Sequence, residues 1–124
     1  MIDKIKSDKA PAAIGPYSQA TVCGGFVFTS GQIPINPESG NIDTSDITSQ
    51  TEQVMKNLGE VLRAAGSSYE KAVKTTCYLA DISDFAAFNE VYGKYFTEKP
   101  ARSCVAVRSL PKGALVEVEV IAEI

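Results

Sequence analysis

Alternation between apolar and polar positions is clearest near the end of the chain. From Leu115 to Ile124, the residues Val116, Val118, Val120 and Ala122 fall on one face of an extended strand, and Leu115, Glu117, Glu119 and Ile121 fall on the other. One face is wholly apolar, and the other is half apolar and half acidic. Such a strand belongs at the centre of a sheet, where carboxylates need a reason to be. In the preceding run, Pro100 to Val107, the side chains of Arg102, Cys104 and Ala106 share one face and Ser103, Val105 and Val107 the other. A lone arginine and two glutamates on strands are most often a solvated face or a surface ion pair, and a functional reading has to improve on that.

Upstream, Ile2 to Lys6 alternates weakly, as an edge strand does, and Ala10 to Tyr17 is a loop whose two prolines and glycine exclude regular structure. Ser18 to Val22 and Phe26 to Ile33 flank Cys23-Gly24-Gly25, a hairpin in which the glycines supply positive φ angles. Pro34 to Ser45 is a second loop, and its acidic residues do not match the spacing of a calcium loop. Helical spacing then takes over. Ile47, Val54, Leu58, Val61, Leu62 and Ala65 step by threes and fours through Asp46 to Ala65, with Gly66 placed to end the helix. Val73, Thr75, Cys77 and Leu79 alternate with Lys74, Thr76 and Tyr78 as a strand. A second helix starts from Ser83 or Asp84 and runs to about Phe96, with Phe85, Phe88, Tyr92, Tyr95 and Phe96 as a core-type aromatic stripe. This order of elements predicts a two-layer α/β (α+β) domain with both helices on one face of a mixed sheet. Apolar residues on both faces of the last strand predict that another subunit covers the second face, making a homo-oligomer.

Composition sharpens the picture. A chain of 124 residues at 44% hydrophobic suits one domain, 1–124, with one core. No apolar run approaches the roughly 20 residues of a membrane span, and the first residues lack the apolar stretch of a signal peptide, so a cytoplasmic protein is expected. Cys23, Cys77 and Cys104 are far apart and form no Cys-x-x-Cys pair, which points to neither a disulfide framework nor zinc. The absence of histidine excludes Ser-His-Asp and Cys-His triads and removes the commonest transition-metal ligand. A formal net charge of -3, with no run of basic residues, disfavours nucleic acid as a partner.

Several segments carry a more specific signal: Ala10 to Ala20 (APAAIGPYSQA), Thr29 to Pro34 (TSGQIP), Val73 to Thr76 (VKTT), Pro100 to Val105 (PARSCV) and Leu110-Pro111-Lys112. In this order and along the whole length, they resemble the reactive intermediate deaminase family, also called the YjgF family. The resemblance implies a chorismate-mutase-like fold, a mixed six-stranded sheet with two helices packed on one face. It also implies a homotrimer with clefts between subunits, and a final strand inserted between earlier ones.

Enzymes of that family hydrolyse 2-imino acids, such as 2-iminobutanoate and 2-iminopropanoate, to 2-keto acids and ammonia. The substrate carboxylate calls for a planar, permanently charged donor, and Arg102 matches the family arginine. Hydrogen bonds to charged groups contribute about 1.5–3 kcal/mol, enough to orient a small ligand. An imine is already electrophilic, so no cofactor, metal or covalent nucleophile is implied. Glu117 matches the carboxylate that holds water and passes protons, a role worth about 10² to 10⁴-fold in rate. Tyr17 is implied to orient the imine nitrogen or the water, and Ser30, Gly31, Asn89, Ser103 and Cys104 to line the cleft, the last two through their main chain. Against these stand plainer roles: Tyr17 as packing, Asn89 as a surface residue, Glu119 as a structural carboxylate. Cys104, two residues from Arg102 on one face, could also be a thiol of lowered pKa. Two departures from the family pattern, a short Thr97-Glu98-Lys99 and Ala106 in place of an acidic residue, bear on the cleft rim. Two alternatives remain beside the deaminase: a small-carboxylate-binding regulatory trimer without turnover, and the older family label of translation inhibitor or endoribonuclease.

Overall fold

The last strand joins the sheet into one piece. In the computed structural model, which describes residues 1–124, Val116–Glu123 lies between Phe26–Thr29 and Ala72–Leu79 and is antiparallel to both. The strands are β1 (Asp3–Ile5), β2 (Ala20–Cys23), β3 (Phe26–Thr29), β4 (Ala72–Leu79), β5 (Ala101–Ala106) and β6 (Val116–Glu123), and the helices are α1 (Ile47–Ala64) and α2 (Phe85–Tyr95). Six strands form one mixed sheet in the order β1-β2-β3-β6-β4-β5. The single parallel pair is β4 with β5, and α2 makes the crossover that a parallel pair requires. β6 is thus central, as its alternation demands.

Capping sets the ends of α1. The Asp46 carboxylate accepts from the Ser49 amide at 2.8 Å, relieving one of the unpaired donors of the first turn. At the other end Gly66 takes φ +82°, its amide bonds Arg63 O at 3.0 Å, and the Ser67 amide bonds Leu62 O at 2.9 Å. This pairing of the last carbonyls needs a left-handed residue at Gly66, which glycine adopts without strain. Asp84 precedes α2 without a side-chain cap; Asp81, one turn earlier, accepts from the Ser83 amide.

Both helices pack on one sheet face and share a single core. Val54, Met55, Leu58, Val61 and Leu62 of α1 and Phe88, Val91 and Tyr92 of α2 meet Val27, Cys77, Leu79, Val116, Val118 and Val120 of the sheet. Each such side chain, fully buried, contributes about 1.5–3 kcal/mol. The aromatic stripe of α2 divides: Phe88, Tyr92 and Phe96 are buried, whereas Phe85 is 37% exposed.

Two expectations are corrected. Val73, expected on the core face, is 47% exposed, because the register shifts between Ala72 and Lys74 and the extra residue of this bulge turns outward. The first hairpin is shorter than its apolar pattern: β3 stops at Thr29 rather than Ile33. Beyond it the chain changes partner. The Ser30 amide still bonds Gln19 O of the hairpin, whereas Gln32 bridges to Val118 of β6. Opposite the helices, the second face of the sheet exposes Phe26, Phe28 and Val105 at 36%, 42% and 47%.

Candidate active site

The change of partner at Ser30–Gln32 builds the first half of the site. Gly31 lies over β6 so closely that a Cβ there would overlap the Glu117 carboxylate, with Glu117 Cδ 2.8 Å from it. Only glycine lets the backbone approach this near. Tyr17, Ser30, Gly31 and Glu117 line one cavity of about 470 Å³, together with Ile33, Ile35, Pro111 and Lys112. The loop bearing Tyr17 is tied down by Gln19, a buried residue whose amide donates to Pro11 O at 2.7 Å and Ser7 O at 3.1 Å and accepts from the Ser7 amide. Ser30 donates its hydroxyl to Ser18 O at 2.6 Å, which joins the two walls.

Burial pushes the Glu117 carboxyl above its ordinary range, and the nearby Glu119 carboxylate adds to the shift. Across the strand boundary Tyr78 donates to Glu119 Oε1 at 2.7 Å, and its phenol is pushed up to about 12, chiefly by that hydrogen bond.

Arg102 and Asn89 form a second, separate group. Arg102 Nη1 donates to Asn89 Oδ1 at 2.7 Å, and the guanidinium carbon stands 4.8 Å from the Tyr92 ring centroid and 5.4 Å from that of Phe85. Stacking and the amide together fix the plane of the guanidinium. These residues border a cavity of about 310 Å³ with Phe96, Lys99 and Pro100. Cys104 sits beside Arg102 but not as a reactive thiolate: burial raises its pKa, and the opposing pull of Arg102 does not cancel this. Ser103 is exposed on the opposite face of β5.

Within one chain the two groups do not meet. Arg102 is in register with Thr75, whose side chain is buried beneath the helices, whereas Glu117 is in register with Tyr78. Thr75 and Tyr78 alternate on β4, so Arg102 and Glu117 occupy opposite faces of the sheet. Sequence reasoning had not found Gln19, Tyr78 or Lys112. Gln19 and Lys112 lay inside the segments that carried the resemblance; Lys112 has φ +57°, a left-handed conformation that costs a non-glycine residue on the order of 1 kcal/mol. Tyr78 left no signal, because its partner became visible only with strand pairing. No group of three or more Cys, Asp or Glu side chains is close enough to hold a metal ion, and no helix is long and apolar enough to cross a membrane.

A mixed six-stranded sheet with its last strand inserted and two helices on one face is the fold of one known class. Residues 7–124 match the model of the family described as Endoribonuclease L-PSP, and the chain belongs to that family, the one whose members include the reactive intermediate deaminases. A Homo sapiens relative named 2-iminobutanoate/2-iminopropanoate deaminase is 45% identical over 119 residues, covering 95% of this chain and 87% of that protein. Reactive Intermediate Deaminase A, chloroplastic, of Arabidopsis thaliana is 49% identical, with 95% of this chain matching 64% of that one. Among solved structures, E. coli TdcF with bound serine superposes with a TM-score of 0.93 at 42% identity, over 98% of each chain.

Proposed function

We propose that this protein hydrolyses reactive 2-imino acids to 2-keto acids and ammonia, in clefts where Glu117 of one protomer faces Arg102 of another. The observation that carries the reading is the half-buried Glu117 carboxyl, its pKa raised by burial, set in one cavity with Tyr17, Ser30 and Gly31. The anchor for a substrate carboxylate lies on the opposite sheet face, so a complete site requires a second copy. A cyclic arrangement joins unlike surfaces of neighbouring copies, and the homotrimer implied by the family resemblance pairs each Glu117 group with an Arg102 group. The exposed Phe26, Phe28 and Val105 supply apolar surface for such contacts.

In the reaction, Arg102 grips the carboxylate in bidentate fashion and aligns the C=N bond. Ionised Glu117 takes a proton from water as its oxygen adds to the imine carbon, and returns that proton to the nitrogen. Glu117 then carries the carbinol hydroxyl proton to the nitrogen as the carbonyl forms and the C–N bond breaks, releasing ammonia and the 2-keto acid. Tyr17 orients the nitrogen or the water, and the main chain at Ser103 and Cys104 completes the carboxylate pocket.

The test is keto-acid formation from an imine generated in situ by a threonine dehydratase, with semicarbazide as competing trap. Wild type is expected to accelerate it; Arg102→Ala is expected to lose that acceleration. A correctly assembled wild type that gave no acceleration would refute the deaminase. A second reading, a carboxylate-binding protein without turnover, draws support from the serine-bound relative. Glu117→Gln separates the two, since the enzyme reading expects binding kept and turnover reduced by at least about 10²-fold. The family's endoribonuclease label finds no histidine and a net charge of -3 in this chain, a poor basis for gripping and cutting RNA.

A further inference from the structure

Three features outside that reaction scheme were candidates for a role: the Cys77–Cys104 thiols paired across β4 and β5, the basic rim formed by Lys6, Lys9 and Arg63, and the carboxylate ladder on the open face of β6. The ladder carries the furthest inference. Glu117 and Glu119 are successive residues of one face of β6, and each is half-buried. Tyr78 stands directly opposite Glu117 in the β4–β6 register, but its hydroxyl reaches diagonally to Glu119 Oε1 at 2.7 Å. Two carboxylates one pleat apart, with a phenol committed to one of them, form an asymmetric pair.

We propose that Tyr78 and Glu119 are positioning residues for Glu117: the phenol fixes the Glu119 carboxylate one pleat away, so that Glu117 is the member of the pair that takes up the water proton. The role rests on the deaminase reading for its purpose but not for its test. A carboxylate that accepts from a phenol is stabilised as the anion, and its field makes ionisation of its neighbour harder. Protons in such a pair go to the partner lacking the donor. The other charged or titratable groups near Glu117 are few: Tyr17 and Lys112 line its cavity and Lys74 shares the same β4 face farther along the ladder, whereas β3 brings only the apolar Phe26 and Phe28 to that face. No ion pair engages Glu117 or Glu119; the one salt bridge of the chain joins Arg63 and Glu60.

The test follows the Glu117 side-chain carboxyl by carbon-13 NMR through a pH titration of the full-length protein in its native assembly, alongside the pH profile of kcat/KM. In Glu119→Gln, which keeps an acceptor for Tyr78 but removes the charge, the Glu117 titration is expected to fall. The acid limb of kcat/KM is expected to fall with it, with KM little changed. In Tyr78→Phe, which keeps the ring and removes the donor, Glu119 competes for the proton and the Glu117 titration broadens and moves downward. The double variant is expected to behave as Glu119→Gln alone, since Tyr78 acts only through Glu119. An unmoved Glu117 titration in Glu119→Gln, or a Tyr78→Phe effect that persists in the double variant, overturns the proposal. Should Glu119→Gln fail to fold, Tyr78→Phe decides alone, and an unmoved Glu117 titration there overturns it. Absence of turnover in wild type would refute the deaminase while leaving the NMR titration to judge the pair.

Discussion

Gly31 and Glu117 are held at contact, and each constrains what the other position tolerates. Gly31→Ala would drive a methyl into the Glu117 carboxylate, which has to swing away from the cavity. Misplacement of a reacting group by about 1 Å costs about 10²-fold, so kcat of Gly31→Ala is expected to fall by that order while CD spectra stay native. Glu117 also links pH to stability. Its folded-state pKa is raised, so the native chain binds a proton more readily than the unfolded one. The stabilisation from that proton is complete below the ordinary carboxylate pKa and disappears as pH rises through the raised one. Glu117→Gln is therefore expected to raise the melting temperature at neutral pH and to leave it nearly unchanged in acid. Equal gains at both pH values would show that burial does not strain this carboxyl.

At the scale of an element, α1 contains a position where local and tertiary preferences conflict. Gly59 lies in the middle of the helix, where alanine is intrinsically better by about 1 kcal/mol. The Tyr69 hydroxyl occupies the space a Cβ would need, on its way to donate to Met55 O. Its ring packs at 5.2 Å from Tyr95 and 5.5 Å from Phe96. Gly59→Ala has to displace that hydroxyl and leave it without its acceptor, at a cost of about 1–3 kcal/mol. Thermal unfolding is expected to show a net loss, against the helix scale; a more stable variant would mean that Tyr69 moves aside freely. By contrast Asp46→Ala, at the start of the same helix, tests a purely local device and is expected to lower the melting temperature slightly. The glycine ending the helix and the aromatic spacing of α2 were legible as sequence patterns, because each depends on residues within a turn or two. The bulge at Val73 and the early end of β3 were not, because both depend on what β6 offers from the far end of the chain.

For the whole molecule, the split between Arg102 and Glu117 means that the proposed deaminase requires assembly. Arg102→Ala and Glu117→Gln subunits are each expected to be inactive alone. Mixed by unfolding and refolding together, they are expected to recover about a quarter of wild-type activity, because that fraction of clefts draws each intact half from a different subunit. No recovery would place both halves within one protomer. Light scattering is expected to give a trimer mass, and a monomer mass with full activity would contradict the shared cleft.

The sequence by itself determined the element types, the central place of β6, the single core and the kinds of residue available for chemistry, with no histidine and few candidates. These follow from periodicity and composition, which survive in one dimension. The family resemblance also implied Tyr17, Ser30, Gly31, Asn89, Arg102 and Glu117 as site residues without saying how they meet. Only the tertiary structure decided that Glu117 sits under Gly31 in a common cavity with Tyr17, that Arg102 lies on the opposite face against Asn89 and Tyr92, and that Tyr78 reaches Glu119. The physical reason is strand pairing: the face a side chain occupies is local, but its neighbour on the next strand is set by register between residues far apart in the chain.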